Sequence, residues 1–164
     1  MTGTQTKWLD ADQQADWRAF IVGSTLLMDT LDRELRTAHG IALAEYEVLV
    51  RLSESPDRTL RMAEIADSMR HSRSRVTHTV SRMEKAGLIH REAAVGDKRG
   101  VVAVMTAKGW NLLKAAAHTH VTGVREHFVE VASADDFAAM GRVMNAVSDR
   151  LVAVNPDFED IRER

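Results

Sequence analysis

The sequence contains no cysteine and only two prolines in 164 residues. The absence of cysteine excludes disulfide bonds, thiolate metal sites and peroxide sensing through a thiol. No apolar run approaches the ~20 residues that a bilayer-spanning helix needs. The amino terminus also lacks the charged-then-apolar order of a secretion signal. We therefore expect a cytoplasmic protein.

Catalytic motifs are also missing. The chain carries no nucleophile elbow, no phosphate-binding glycine loop, no H-E-x-x-H and no paired catalytic carboxylates. His118 and His120 face different ways on a helix, and His127 lies nearly two turns beyond His120. Because zinc sites need three or four ligands, we expect no metal, no cofactor and no enzymatic activity. A metal-responsive regulator is kept as an alternative function.

The charge of the chain is unevenly distributed. The formal net charge is -2, yet residues 61–100 carry nine Arg and Lys against five Asp and Glu. That segment has a net charge of +4 and the remainder has -6. Because the field that attracts phosphates is local, the segment is a candidate for binding nucleic acid.

The first helix is predicted to be long. Asp10 and Gln13 have the spacing of a capping box, and the helix should end near Gly40. Its apolar stripe is compatible with packing on the chain's own core alone or also on a second subunit, and its length favours the second subunit. The stripe consists of Trp17, Ile21, Ser24, Met28, Leu31 and Leu35.

Two shorter helices follow. An apolar run from Leu43 to Leu52 predicts the second helix, which stops before Pro56. A short strand is expected at residues 58–60, followed by a third helix of about two and a half turns that contains Ile65 and Ala66.

Residues 72–106 predict a basic helix followed by a hairpin. Ser72 stands at an N-cap position, and Val76, Val80 and Met83 form an inward stripe. Two β-type runs, residues 88–93 and Val101–Met105, flank a turn at residues 96–100. Two helices with a tight connection, the second one basic, form the helix-turn-helix that places its second helix in the major groove.

Two amphipathic helices are predicted after the hairpin. Thr106 caps a helix whose stripe runs from Trp110 to Val131, and Ser133 with Asp136 caps a final helix. The predicted fold class is mainly α (α+β), a winged helix-turn-helix with a two- to three-stranded wing between dimerisation helices. Residues 1–40 are assigned to an N-terminal dimerisation helix, residues 41–106 to the DNA-binding domain and residues 107–164 to C-terminal dimerisation helices.

These motifs resemble those of the multiple antibiotic resistance regulator (MarR) family. The wing pattern is Asp97-x-Arg99-Gly100 with Met105-Thr106-x-x-Gly109, where only Met105 departs from the usual Leu. Ser72-Arg73-Ser74 with Val76-Thr77 resembles the start of the family's recognition helix. Glu84-Lys85-Ala86-Gly87-Leu88-Ile89 resembles the end of the family's recognition helix. Ala44-Glu45-Tyr46-Glu47-Val48-Leu49 fits the family's second helix.

One departure precedes the recognition helix. Arg70 and His71 stand where the family usually has Gly and an apolar residue, so either the turn differs or His71 is partly buried. The resemblance implies a homodimer on a palindromic double-stranded DNA operator, most often a repressor that a small effector releases. A winged-helix protein-interaction module without DNA binding is the other alternative, against which the arginines of the recognition helix argue.

The candidate DNA-binding residues lie on the basic helix and at the wing. Arg75 and His78 are the best base-reading candidates, because the amino-terminal part of such a helix enters the groove most deeply. Each serine of the set either caps the helix or meets a phosphate. The helix set is Ser72, Arg73, Ser74, Arg75, Thr77, His78 and Arg82.

At the wing, the resemblance suggests that Asp97 orients Arg99 into the minor groove, with Lys98 at the tip. The alternative is an Asp97–Arg99 pair that only stabilises the turn.

An effector site is expected from the family alone. In the family, ligands usually occupy a crevice between the dimerising helices and the winged module, and an aromatic or phenolic compound is the expected effector. Aromatic and Met residues at helical spacing are, as the alternative, core residues. The candidate lining residues are Trp17, Phe20, Met28, Tyr46 and Met62.

Overall fold

In the residues that the structure describes, six helices and a three-stranded sheet follow one another in the predicted order. The computed structural model describes residues 5–94, 96 and 100–155. A 3₁₀ turn, Pro56–Arg58, precedes the first strand, and a π-helical turn, Arg125–Val129, follows the fifth helix. The order confirms the mainly helical winged-helix prediction. The elements are α1 Ala11–His39, α2 Leu43–Glu54, β1 Thr59–Arg61, α3 Met62–Ser68, α4 Arg73–Lys85, β2 Ile89–Ala93, β3 Val101–Met105, α5 Ala107–Val124 and α6 Ala134–Val154.

Side-chain caps fix where four of the helices begin. At α1 the Asp10 carboxylate accepts from the Gln13 amide at 2.8 Å, and the Gln13 side chain accepts from the Asp10 amide. Ser72, Thr106 and Ser133 each accept an amide N–H three residues on, at the starts of α4, α5 and α6. These bonds satisfy amides that lack a partner within the helix, so the predicted starts are confirmed.

The sheet is antiparallel with strand order β1-β3-β2. Leu60 and Arg91 both lie opposite Ala103, so β3 is the central strand. The hairpin closes where the Ala94 amide donates to the Gly100 carbonyl at 2.9 Å. The tip residues Asp97, Lys98 and Arg99 lie outside the described residues.

The core lies where α2, α3, α4 and the sheet meet α5 and the carboxyl-terminal half of α1. The inward stripe of α4 belongs to it, as predicted, because helical spacing puts these side chains on one face. Such burial stabilises the fold by about 1.5–3 kcal/mol for each large apolar side chain. The largest fully buried side chains are Leu31, Leu35, Leu49, Leu52, Ile65, Met83, Ile89, Val48, Val76 and Val80.

Helices α1 and α5 pack closely along a seam. A Cβ on Gly123 would require the Glu34 carboxylate and the Leu31 side chain, whose Cδ2 would be 2.9 Å away, to shift. Beyond Val124 the chain forms the π-helical turn, whereas the stripe predicted one helix as far as Val131. The π turn carries His127, whose Nε2 lies 2.7 Å from Glu34 Oε1. The spacing of apolar residues along the sequence does not predict this contact between distant residues.

Two helical faces carry apolar side chains that the single chain leaves exposed. The amino-terminal half of α1 exposes Trp17, Phe20 and Ile21, although Leu31 and Leu35 of the same predicted stripe are buried. None of the residues of α6 is buried, and its stripe includes Val147 and Leu151. Exposed apolar faces of this extent mark contact surfaces. Within the described part of the chain, no helix combines the length and the apolar character needed to cross a bilayer.

Candidate nucleic-acid interface

The turn before α4 holds its backbone in a left-handed conformation. Arg70 has φ 51°, a value that favours glycine, which is the residue the family usually places in this turn. His71 is half-buried, as one of the two expectations had it. Burial lowers the pKa of the His71 imidazole, and the charge of Arg75 acts in the same direction. The Ser72 hydroxyl then accepts from the Arg75 amide at 3.3 Å, so Ser72 serves as the N-cap.

Helix α4 presents all seven predicted side chains to solvent. Val76, Val80 and Met83 anchor the opposite face in the core. Successive residues of a helix are about 100° apart, which divides the exposed set by direction. Ser74 and His78 point most directly away from the core. Arg73 and Thr77 lie on the flank towards the wing, and Arg75 and Arg82 lie on the flank towards α2. The exposed set is Ser72, Arg73, Ser74, Arg75, Thr77, His78 and Arg82.

The wing-side flank borders a basic cleft of about 450 Å³ between α3, α4 and the hairpin. Among the described residues, Arg61, Arg73 and Arg91 line it together with Thr77 and Gly100, and no Asp or Glu does. Such a cleft suits a phosphate group, which arginine binds through its planar fork. Arg61 and Arg91 were not among the residues predicted for the site. Both contribute to the positive charge of residues 61–100, but charge counting does not place them beside α4.

The opposite flank borders a larger groove of about 880 Å³ between α1, α2 and α4. Met28, Asp32 and Arg36 line it from α1, and Arg75 and Arg82 are among its residues from α4. The Arg36 hydrogen bond, together with one from the Leu43 amide, lowers the pKa of the Asp32 carboxyl against the opposing effect of burial. The groove therefore mixes charges of both signs beside the predicted base-reading side chains.

Two ion pairs connect the carboxyl-terminal half of α4 to its neighbours. Arg82 Nε donates to Glu45 Oε1 of α2 at 3.2 Å. On the other flank, Arg91 of β2 donates to Glu84 Oε2 through Nε at 2.9 Å and Nη2 at 2.6 Å. The Arg91 side-chain hydrogen bond, followed by the Arg91 amide, lowers the pKa of the Glu84 carboxyl. Two motif residues, Glu45 and Glu84, thus have structural partners that the sequence did not reveal.

Thr106 and Gly109, the other motif residues, join the wing to α5. The Thr106 hydroxyl donates to the carbonyls of Gly87 and Leu88 and accepts from the Gly109 amide at 3.0 Å. A Cβ on Gly109 would collide with the Leu88 carbonyl oxygen. Glycine is required there because the first turn of α5 touches the backbone that leads into β2.

The structure separates the five candidate effector residues. Trp17 and Phe20 stack on each other at 5.7 Å on the exposed half of α1, and only Met28 lines the larger groove. Tyr46 is buried in the core beside His120, with ring centroids 4.7 Å apart. Met62 lines the basic cleft on the other flank of α4. Within one chain these side chains do not form a single crevice.

The three histidines considered for metal binding have separate surroundings. His118 is exposed on α5, His120 packs on Tyr46, and His127 pairs with Glu34. Burial lowers the pKa of His120. In residues 5–94, 96 and 100–155, no three His, Asp or Glu side chains are grouped closely enough to hold a metal ion.

Comparison with known proteins gives consistent matches. The model of the MarR family matches residues 39–100. Sco3205, a MarR family transcriptional regulator from Streptomyces coelicolor crystallised in complex with DNA, is 38% identical with a TM-score of 0.85, and the match covers 91% of this chain and 93% of that chain. AbsC, a MarR family transcriptional regulator from the same organism, is 33% identical with a TM-score of 0.82, covering 90% of this chain and 99% of that one. No curated protein matches the sequence.

Proposed function

The chain belongs to the MarR family of transcriptional regulators, and we propose that two copies of it bind a palindromic operator as a repressor. The observation that carries this proposal is the basic, exposed face of α4, which is anchored in the core by Val76, Val80 and Met83. A recognition helix needs such a face to reach base edges and phosphates. The complex of its relative Sco3205 with DNA supports the same role.

Six of the seven exposed side chains at α4 have a proposed task in DNA binding. Arg75 and His78 read bases, because they lie in the first two turns of the helix. Arg73, Ser74 and Thr77 meet the phosphates on either side, joined by Arg61 of the basic cleft. Ser72 caps the helix and leaves its first amides directed at the backbone of the DNA. Arg99 at the wing, with Asp97 and Lys98 beside it, is proposed to enter the minor groove.

Dimerisation is proposed to occur through the apolar faces of α1 and α6. Trp17, Ile21, Val147 and Leu151 are all exposed in the single chain. Pairing of these faces removes apolar surface from water, which is the dominant favourable contribution in most protein association. A two-fold dimer that spans successive major grooves presents its two recognition helices about 34 Å apart.

The decisive experiment sequences the genomic fragments that the purified protein retains, and then measures affinity for the recovered site by fluorescence anisotropy. We expect a palindromic site near the genes under control, and binding that weakens steeply as salt rises. Retention of no specific fragment, or binding insensitive to salt, would refute operator binding and favour a protein-interaction module.

Residue roles are tested at the same site. Arg75→Gln should cost about 1–3 kcal/mol per half-site and relax the sequence preference, because a bidentate base contact is lost. Arg125→Gln is a matched control, since Arg125 is a similarly exposed arginine paired with Glu130 on the π turn. Equal losses for the two variants would contradict a base-reading role for Arg75.

Release by a small aromatic or phenolic acid is the last part of the proposal. The groove of about 880 Å³ is the best-supported site, because an occupant there would touch Arg75 and His78. Its volume is in the range of small-molecule pockets. A panel of benzoic and phenolic acids titrated into the operator complex should contain at least one that dissociates it. A panel without effect would contradict this class of effector.

A further inference from the structure

We propose that Glu45 of α2 is a positioning residue that fixes the rotation of α4 through Arg82, and that Arg82 acts in this pair instead of contacting a phosphate. The inference rests on the proposed operator binding. It changes the role of one predicted DNA-binding residue and gives a function to Glu45, a residue that does not lie on the recognition helix.

Glu45 is a fixed acceptor. Its Oε2 accepts from the Ala42 amide at 2.8 Å, at the start of α2. Ala42 is buried, so this bond satisfies an amide that water does not reach. Its Oε1 accepts from Arg82 Nε. The Glu45 side chain is 12% exposed, whereas that of Arg82 is 61% exposed. An exposed arginine is therefore held against a carboxylate that the backbone of α2 immobilises.

The second pair makes this contact a brace against rotation. Residues 82 and 84 are two positions apart, so their side chains leave the helix about 200° apart, on nearly opposite flanks. Arg82 is tied to α2 and Glu84 is tied to Arg91 of β2. Any rotation of α4 about its axis lengthens at least one of the two ion pairs.

A small rotation is enough to affect base reading. Turning a helix by about 10° moves a side-chain tip about 6 Å from the axis by about 1 Å. Hydrogen bonds to base edges tolerate only about 0.5 Å around their usual length. Phosphate contacts, which depend on charge over longer distances, are less sensitive. Loss of the brace should therefore reduce specificity more than total binding.

The same network reaches the first helix. Asp32 of α1 accepts from the Leu43 amide at 2.8 Å and from Arg36 Nε at 2.6 Å. Adjacent amides of the α2 start, Ala42 and Leu43, are thus held by Glu45 and by Asp32. The contact with α2 therefore fixes the rotation of α4, and the contact with α1 in turn fixes the start of α2.

The test uses the full-length protein and the operator recovered from genomic DNA. Affinities for the operator and for a scrambled duplex are measured over a salt series for the wild type, Glu45→Gln, Arg82→Gln, the double variant and Arg82→Lys. Arg125→Gln is the control. Glutamine at position 45 retains one oxygen for the Ala42 amide, and melting temperatures establish that each variant is folded.

We expect Glu45→Gln and Arg82→Gln each to weaken operator binding about tenfold, the effect of losing a base contact. Binding to the scrambled duplex and the salt slope should stay at wild-type values. The double variant should bind the operator no more weakly than the weaker-binding single variant, because both substitutions break the same interaction. Arg82→Lys should restore specificity, since a lysine can reach Glu45.

A phosphate contact gives the opposite pattern. Arg82→Gln would then lower the salt slope by about 0.9 per subunit, and Glu45→Gln would leave affinity unchanged or raise it. Either result overturns the proposal, as do two silent single variants. Hydrogen exchange of the α4 amides in the free protein provides a readout without DNA. Faster exchange in both variants supports the brace even if the wild type binds no operator, and unchanged exchange overturns it.

Discussion

Replacing Gly109 with alanine sets helix propensity directly against a steric contact. Gly109 lies in the first turn of α5, where alanine would be favoured by about 1 kcal/mol on propensity alone. The added Cβ would collide with the Leu88 carbonyl oxygen and lie 3.1 Å from both the Leu88 carbonyl carbon and Met105 Cγ. That carbonyl accepts from the Thr106 amide and hydroxyl, each at 3.0 Å, so it cannot move without breaking both bonds.

The expected net effect is a loss of stability. Overpacking costs about 1–3 kcal/mol, and more where backbone must shift. Because the Leu88 backbone must shift, we take the upper end of about 3 kcal/mol. Subtracting the propensity gain of about 1 kcal/mol leaves a destabilisation of about 2 kcal/mol, or about 4–8 °C in Tm for a chain of this size. Urea denaturation followed by circular dichroism measures it. All variants are compared at one protein concentration, because the stability of a dimer depends on concentration.

Gly23→Ala is the matched control. Gly23 is exposed in α1, away from the apolar stripe, and nothing lies within 4 Å of a Cβ built there. This variant should be stabilised by roughly 0.5–1 kcal/mol. If Gly109→Ala were as stable as the wild type while Gly23→Ala behaved as expected, the steric explanation of the motif glycine would be wrong.

Two further predictions concern the helices around the winged module. Val147→Asp, on the exposed stripe of α6, should shift the protein towards monomers in sedimentation velocity. Ala146→Asp, which lies outside the stripe about 100° around the helix from Val147, should not, and equal behaviour of the two variants would contradict dimerisation through this stripe. The free energy of unfolding should fall as the pH is lowered from about 6.5, because burial lowers the folded-state pKa of His120 below its usual value of 6.5 and the unfolded chain is protonated first. His120→Phe should reduce this dependence of the unfolding free energy on pH, measured by denaturation at pH 8, 6 and 5, while His71 continues to contribute to it. An unchanged dependence on pH would show that His120 is not its source.

Helix starts and inward faces were predictable because their causes are local. Asp10 and Gln13, like Ser72 and the Arg75 amide that it caps, lie three residues apart. The left-handed Gly40 at the end of α1 is a similarly short-range signal. Spacing by three and four residues also identified the buried stripe of α4 correctly.

The candidate site was predictable only on the recognition helix itself. Spacing gave the exposed direction of Arg75 and His78, but not the grooves on either side of them. Arg61 and Arg91 join the basic cleft through the folding of α3 and the hairpin beside α4. Tyr46 fitted an effector crevice equally well by sequence, yet it lies in the core.

By itself, the sequence determined the order of the elements, the caps of α1, α4, α5 and α6, the inward stripe of α4 and the family. Only the tertiary structure decided what stands opposite each exposed side chain. Arg82 has the spacing and charge of a phosphate contact, yet its partner Glu45 is 37 residues away in the chain. The physical reason is that helical periodicity fixes the direction in which a side chain leaves its helix, whereas the group that it meets depends on how distant segments pack.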